Sequence, residues 1–308
     1  MGGYFAADSM AVQVMGNRAV GLTYGQRALV IGATCPPLFA GTMAHTSTPQ
    51  LPYTRLMRTA RLFEAVFLGS REQADQALAH TARRHATVTG ALSGDTGPRF
   101  PAGTPYSATD PHLMYLTMAF AFDSALTMQE LLVRGLTQGE REGLYADFVR
   151  WAELFGMPRS AAPSSYAAFR ADMRAYLASD GLWLTEQARA VGSYLVGARR
   201  ADYAAPPPLR PLFAGMRLVV LGALPGQVRA AYGFSWRPAQ RLAFETVTRA
   251  TRAAHRRPPG PLRALPDPAA GMKRGTNDWL LGGVARAERW HLSQGRHSMP
   301  DLLARRGG

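Results

Sequence analysis

The sequence predicts an all-α protein, with a single helical domain over residues 1–257 and a Pro- and Arg-rich arm over residues 258–308. Three features of the chain predict this fold class. Helix-capping motifs recur, alternating patterns typical of strands are scarce, and 47% of the residues are hydrophobic, which is enough for a large core. From the spacing of helix start and stop signals we expect about ten helices.

Helix starts are marked by side chains that accept hydrogen bonds from free backbone N–H groups. Asp110 followed by Pro111 combines a capping carboxylate with a proline at the first helical position. The apolar run after it, residues 113–132, is long enough to form a central buried helix. Other expected starts are the capping boxes Ser70 to Gln73 and Thr137 to Glu140, and the single caps Ser164 or Ser165 and Thr185.

Glycine and proline mark the expected helix ends and loops. Gly90, Gly156 and Gly197 each follow a helical pattern and are expected to end it. Residues 93–109 are rich in both amino acids and predict a surface loop that borders a pocket. The arm is expected to be irregular, but it contains apolar residues that should dock on the body or on a neighbouring chain. Docking on a neighbouring chain would produce a homo-oligomer. These residues are Trp279, Leu280, Leu281 and Trp290.

Composition narrows the classes of function. The single cysteine, Cys35, excludes an internal disulfide and a cysteine cluster for zinc, and no export signal or membrane span is visible, so we expect a cytoplasmic protein without stable membrane insertion. The formal net charge of +14 is concentrated in the last sixty residues, which carry +8 of it. Because the charge is localised and Lys273 is the only lysine, we expect no nucleic-acid partner.

Three polar residues on predicted apolar helix faces are the best guide to chemistry. His85 shares its face with Leu78 and Val88, whereas His80 points nearly the opposite way. On the preceding helix, Arg55 and Thr59 lie one turn apart on the inward face. A buried guanidinium needs an anion, and a buried imidazole needs a carbonyl, a carboxylate or a metal. The alternative is structural: a satisfied core histidine and a helix–helix anchor.

The order of short motifs resembles a known family. The motifs are residues 28–33 with Pro36, Ala40-Gly41 and His45; residues 55–59; residues 85–90; Asp110-Pro111 with Asp123-Ser124; Tyr145 with residues 154–158; and Leu224-Pro225 with Arg229, Tyr232-Gly233 and Trp236. This ordered set, spanning residues 20 to 250, resembles the catalytic domain family of rubber oxygenase (latex-clearing protein). The family also includes a fungal membrane-bound oxygenase that cleaves a prenyl chain.

The resemblance implies a cofactor and a set of residues that hold it. It implies a globin-like, mainly helical core that binds haem b, with the iron bound axially by His85. It also places Arg55 and Thr59 in a motif needed for a stable haem pocket, where Arg55 would pair with a propionate through charge-assisted hydrogen bonds. An imidazole as the fifth ligand would leave the sixth position open to O2 or peroxide.

Departures from the family pattern bear on the reaction. Cys35 and Met118 stand where relatives have histidines, and residues 9–63 contain no Asp or Glu, although rubber-cleaving members use a glutamate in this part of the chain. Arg58 stands where relatives have a lysine that approaches the iron, and a guanidinium stays protonated. The candidate catalytic residues are Arg58, which could bind an anionic substrate or polarise peroxide, Met118, which could line the substrate side, and His45, whose role is undefined. Cys35 and Met118 also fit as ordinary core residues.

The sequence therefore predicts a haem-b-dependent oxidoreductase of the oxygenase type. We expect it to act on an apolar or aromatic small molecule, as a tailoring step in secondary metabolism, with O2 or peroxide as the co-substrate. Two alternatives remain open. The same fold could support peroxide-dependent or non-redox haem chemistry, or the chain could be a non-enzymatic binding or structural protein.

Overall fold

The structure is a computed structural model that describes residues 2–45, 52–196, 210–256, 283, 286–290 and 293. Up to residue 256, the described part contains thirteen α-helices, one 3-10 turn and one short β-hairpin, which confirms the all-α prediction. The helices are α1 (Met10–Gly16), α2 (Arg18–Gly21), α3 (Tyr24–Gly32), α4 (Pro36–Ala44), α5 (Pro52–Leu68), α6 (Arg71–His85), α7 (Pro111–Leu132), α8 (Gln138–Leu154), α9 (Tyr166–Ala178), α10 (Glu186–Leu195), α11 (Arg210–Ala223), α12 (Gly226–Tyr232) and α13 (Pro238–Arg256). The 3-10 turn is Arg159–Ala161, and the strands are β1 (Thr89–Ala91) and β2 (Pro105–Ser107).

The helix count exceeds ten because the first forty-five residues form four short helices. Asn17 separates the first two: it follows the last residue of α1, and its side chain accepts a hydrogen bond from Ala19 N at the start of α2. Pro36 sets the start of α4, since a proline has no N–H to leave unpaired in a first turn. Capping residues and prolines therefore divide this apolar segment into more helices than its hydrophobic periodicity predicts.

The predicted caps are present where the structure describes them. Ser70 with Gln73 and Thr137 with Glu140 form complete capping boxes at the starts of α6 and α8. Asp110 accepts a hydrogen bond from Leu113 N at 2.9 Å and begins α7. Of the two candidate serines before α9, Ser165 is the cap, and Thr185 caps α10.

Helix α7 forms the centre of the core, as its apolar sequence predicts. Fifteen of its residues are buried, and it packs against α1, α2, α3, α4, α8 and α13. The buried set includes two polar residues, Asp123 and Ser124, in the middle of the helix. Arg27 on α3 meets both of them, so the core of the protein contains a polar cluster.

The hairpin corrects two predictions. Gly90 does not end a helix, because α6 already ends at His85 and Gly90 lies in β1, opposite Tyr106 in β2. The predicted loop at residues 93–109 is therefore partly a strand. A Cβ at Gly90 would lie 2.5 Å from Tyr106 Oη, so the glycine is required by the close approach of that ring. Gly156 follows α8 with φ of 100°, and Gly197 lies outside the described residues.

Part of the arm contacts the body, but the contact is made by the acid Glu288 and not by the apolar residues from which docking was predicted. Glu288 is 3% exposed and contacts the start of α5, whereas Trp290 is 52% exposed. Trp279, Leu280 and Leu281 lie outside the described residues. Within the described part of the chain, no helix combines the length and the apolar character needed to cross a bilayer.

Candidate functional site

Arg55 and His85 lie at the same end of a helical hairpin. Helices α5 and α6 are joined by Gly69 and Ser70 alone and pack against each other, so they run antiparallel. Arg55 lies fourteen residues before Gly69 and His85 lies fifteen residues after Ser70. Because both helices rise by the same amount per residue, the two side chains start from the same level, at the end of the hairpin away from its turn.

His85 is half-buried at the last residue of α6. Its helical neighbours Leu78 and Thr81 are also half-buried, whereas His80 is exposed on the other face. Burial lowers the pKa of the imidazole below its ordinary value of 6.5, which favours the neutral ring at neutral pH. No residue that the structure describes hydrogen-bonds to either ring nitrogen. A neutral imidazole in this setting has a lone pair available for a metal or a donor.

Arg55 is a half-buried cation with spare donors. One guanidinium nitrogen, Nη1, donates to Thr42 O at 2.9 Å, at the end of α4. Burial lowers the pKa of the guanidinium, although an arginine remains protonated in any ordinary setting. Within the described ranges no carboxylate lies within ion-pair distance of Arg55. The remaining N–H groups are therefore available to an anion that the protein itself does not provide there.

A stripe of side chains continues from Arg55 along the same face of α5. Thr59 and Phe63 follow at intervals of one turn, and both are half-buried. The Phe63 ring meets Trp151 of α8 edge to face, with 4.5 Å between the ring centroids. The Trp151 indole N–H is buried and has no acceptor among the residues that the structure describes. The stripe therefore borders an aromatic cluster that holds an unused hydrogen-bond donor.

Helix α4 brings His45 next to the segment that follows His85. His45 is exposed just after the end of α4, and its Nε2 lies 3.2 Å from Thr89 O in β1. Gly41 of α4 faces Val88 and Tyr106, which a Cβ at this position would meet at ordinary contact distance. With the bond from Arg55 to Thr42 O, these contacts join α4, α5 and the end of α6 around the candidate site.

The other two candidate catalytic residues lie in different surroundings. The Arg58 side chain is exposed on α5. Met118 is completely enclosed in the core by its neighbours on α7 and other helices, and Cys35 is also fully buried. Burial raises the pKa of the Cys35 thiol to about 12, so this cysteine is not a reactive thiolate. The structure thus places Arg55 and His85 at the open end of the hairpin, with His45 bonded to the segment after His85, whereas Met118 lies in the core.

Two buried charged residues were missed by the sequence analysis. Arg27 forms an ion pair with Asp123. Its burial could have been predicted from the sequence, because Tyr24 and Ile31 lie on the same face of α3. A single acid within the apolar run of α7 also requires a partner. Glu288, the second missed residue, reaches α5 from 234 residues away. No local pattern in the arm predicts that contact.

An open depression on another face of the protein has a different character. It measures about 430 Å³ and is lined mainly by charged side chains, including Glu130, Arg141 and Arg170. None of the candidate site residues lines it. Its charged, solvent-facing lining does not suit an apolar ligand.

The side chains at the open end of the hairpin include the types of donor that a haem uses, and the described residues there do not form a metal-ion site of their own. The described residues contain no group of three or more His, Cys, Asp and Glu side chains that could hold a metal ion. They do supply one neutral imidazole, one cation with spare donors and an adjoining apolar and aromatic surface. This is the donor set that an axially ligated porphyrin with acidic side groups requires.

Comparison with known proteins identifies the family. Residues 12–253, more than three quarters of the chain, match the family described as "ER-bound oxygenase mpaB/B'/Rubber oxygenase, catalytic domain". No curated protein and no solved structure matches the chain, so the globin-like arrangement of the core stays a prediction. The matched segment includes α5, α6 and the central helix α7. The chain therefore belongs to the mpaB/rubber oxygenase catalytic-domain family, and it contains an oxygenase catalytic domain.

Proposed function

We propose that this chain is a haem-b-dependent oxygenase that acts on an apolar or aromatic small molecule, as a tailoring enzyme of secondary metabolism. Family membership supports the oxygenase class, a small-molecule substrate and O2. The observation that carries the haem assignment is His85: a half-buried, neutral imidazole without a partner in the described structure, at the same end of the hairpin as Arg55. When bound, the haem iron supplies oxygen chemistry that amino-acid side chains do not provide.

Each residue of the site has a distinct task in this proposal. His85 would bind the haem iron, and Arg55 would bind a propionate with the N–H groups that Thr42 O leaves free. Thr59 packs on the same face between Arg55 and the aromatic cluster. The buried Trp151 N–H is a second donor for a polar group of the cofactor or the substrate.

The apolar side of the site indicates the substrate class. Leu56 and Phe63, which lie on one face of α5, are only half-buried, although they are large and hydrophobic. Side chains of this kind favour contact with an apolar or aromatic molecule over contact with water. Arg58, which is exposed on the same helix, is placed to attract an anionic group on such a molecule while it enters. His45 would take part only at the edge of the site, because its ring is exposed.

Proton handling separates the oxygenase proposal from its nearest alternative. Residues 9–63 contain no Asp or Glu, and the one acid that the structure brings to the start of α5, Glu288, already accepts three hydrogen bonds. Glu64 lies more than two turns beyond Arg55 on α5, so no free carboxylate base is found among the described residues of the first two turns of this helix. This observation favours peroxide-dependent or non-redox haem chemistry as the second candidate.

A haem titration tests the cofactor assignment. Purified apoprotein is titrated with haemin and followed by its absorption spectrum, in parallel with His85→Ala and His80→Ala. His80 lies on the same helix but is exposed on the opposite face, so it controls for non-specific binding of haem to a surface histidine. We expect saturation at one haem per chain in the wild type and in His80→Ala, and a lost or altered Soret band in His85→Ala. Equal spectra in all three proteins would contradict the assignment.

The oxidant is tested with the haem-loaded protein and a panel of apolar and aromatic substrates. Oxygen uptake that depends on substrate, and that catalase does not suppress, would support the oxygenase. Turnover only with added peroxide, without oxygen uptake, would support the second candidate. Product formation with neither oxidant would indicate a non-redox rearrangement.

A further inference from the structure

A carboxylate from the arm caps the helix that carries Arg55 and Thr59. Glu288 Oε1 accepts a hydrogen bond from Tyr53 N at 2.9 Å. Its Oε2 accepts from Thr54 N at 2.8 Å and from Thr54 Oγ1 at 2.6 Å. Both carboxylate oxygens are therefore engaged with the first turn of α5, and the side chain is buried.

The position of this carboxylate suits the chemistry of a helix start. The first N–H groups of a helix have no partner within the helix, and their dipoles make this end partially positive. A buried carboxylate that bridges two successive N–H groups satisfies both and gains from the dipole. Burial alone raises the pKa of the Glu288 carboxyl, and the three donors act in the opposite direction.

The same turn is also held from its other side. The Tyr53 hydroxyl donates to Leu195 O at the end of α10, and its ring packs against Tyr194. Arg55 follows directly after the two residues that Glu288 binds. The orientation of the Arg55 side chain thus depends on a helical turn that both Glu288 and α10 hold in place.

We propose that Glu288 is a positioning residue: through Tyr53 and Thr54 it fixes the first turn of α5 and thereby holds Arg55 in its half-buried place at the open end of the hairpin. The family match ends at residue 253, so this assigns a working part of the site to the arm beyond it. The effect of Glu288 on haem retention rests on the proposed function, whereas its positioning of Arg55 is independent of that function.

The test measures the environment of Arg55 without any ligand. The full-length protein is treated with phenylglyoxal, which modifies accessible arginines, and the rates at Arg55 and Arg58 are followed by peptide mass spectrometry. Arg58 is exposed one turn along and serves as the internal reference. In Glu288→Gln the side-chain amide cannot accept from both N–H groups, so we expect modification of Arg55 to accelerate by about tenfold relative to Arg58.

Matched variants separate positioning from general damage. Glu245→Gln removes an exposed acid that pairs with Arg249 on α13 and should leave the rate at Arg55 unchanged. Thr54→Val removes one of the three donors and should give an intermediate rate, whereas Thr54→Ser keeps the hydroxyl and should restore the wild-type rate. Each variant is first shown to be folded by circular dichroism. If Glu288→Gln fails to fold, Thr54→Val and Thr54→Ser carry the test.

The outcomes distinguish this inference from the haem proposal. An unchanged Arg55-to-Arg58 ratio in Glu288→Gln, or equal ratios in Thr54→Val and Thr54→Ser, would overturn the positioning role, whether or not the protein binds haem. A raised ratio supports it. In haem-loaded protein we further expect faster transfer of haem from Glu288→Gln to apomyoglobin. If the wild type takes up no haem, the cofactor proposal fails while the labelling result stands.

Discussion

Arg27 and Asp123 form an ion pair inside the protein, with 2.8 Å between Arg27 Nη1 and Asp123 Oδ2 and side chains that are 4% and 8% exposed. The guanidinium also donates to Ser124 Oγ at 2.8 Å and to Ala223 O at 2.9 Å. It therefore links α3 to the central helix α7 and to the last residue of α11. The cluster therefore connects three helices of the core through one buried guanidinium.

We expect Asp123→Ala to lower the free energy of unfolding by about 3–5 kcal/mol, because it leaves the Arg27 charge buried without its carboxylate. Urea unfolding followed by circular dichroism gives the value. The control is Glu245→Gln, which breaks the exposed pair with Arg249 and should change the free energy of unfolding by less than about 1 kcal/mol. A loss for Asp123→Ala as small as that of the control would contradict a structural role for the pair.

Gly90→Ala should destabilise the hairpin beside the site. The new Cβ would lie 2.5 Å from Oη and 2.7 Å from Cζ of Tyr106, and the Tyr106 side chain is buried. We expect a loss of about 1–3 kcal/mol in the free energy of unfolding. Gly135→Ala, where the added Cβ meets no atom within 4 Å, is the matched control and should be nearly neutral. Equal free energies of unfolding for the two variants would show that the Tyr106 ring moves to make room for the added Cβ.

Cys35 provides a pH-dependent prediction with a defined sign. Burial raises the pKa of its thiol from 9.0 to about 12, so the unfolded chain loses this proton before the folded protein does. Stability should therefore fall as the pH rises through about 9 toward about 12, by an amount that is absent in Cys35→Ala. Urea unfolding of both proteins at several pH values measures the difference. Identical slopes would mean that the folded thiol ionises as freely as the unfolded one.

The features that the sequence predicts depend on residues close together in the chain, whereas the features that it misses depend on contacts between distant residues. Ser70, Thr137 and Asp110 act on N–H groups within three residues, so their motifs locate the helix starts in the sequence. The apolar run around Met118 likewise predicts a buried central helix. The pair of Arg27 with Asp123 and the cap of Thr54 by Glu288 join residues 96 and 234 positions apart. Such contacts depend on how the whole chain packs, and local spacing leaves them undefined.

The same distinction applies to the candidate site. Helical spacing predicts that Arg55 and Thr59 share a face and that His80 and His85 do not, and the structure has this arrangement. The contact of His45 with Thr89, and the contact of Glu288 from the arm with α5, depend instead on tertiary packing. Helical spacing therefore predicts which side chains share a helix face, whereas the contacts between elements follow only from tertiary packing.

Arg55→Lys should weaken haem retention while it preserves the charge. A lysine lacks the planar fork of donors with which Arg55, in the proposed site, would bind a propionate while it donates to Thr42 O. We expect the half-life of haem during transfer to apomyoglobin to shorten by about tenfold, the effect of losing one charge-assisted hydrogen bond. Arg84→Lys, an exposed change next to His85, controls for altered surface charge. Unchanged transfer in Arg55→Lys would remove Arg55 from the cofactor site.

The most direct measurement of the central claim is the absorption spectrum of His85→Gly reconstituted with haem, with and without added imidazole. If His85 is the axial ligand, the variant should lack the wild-type Soret band, and free imidazole should restore it by filling the space of the deleted ring. A wild-type spectrum in His85→Gly without imidazole would contradict the account, because another residue would then hold the iron.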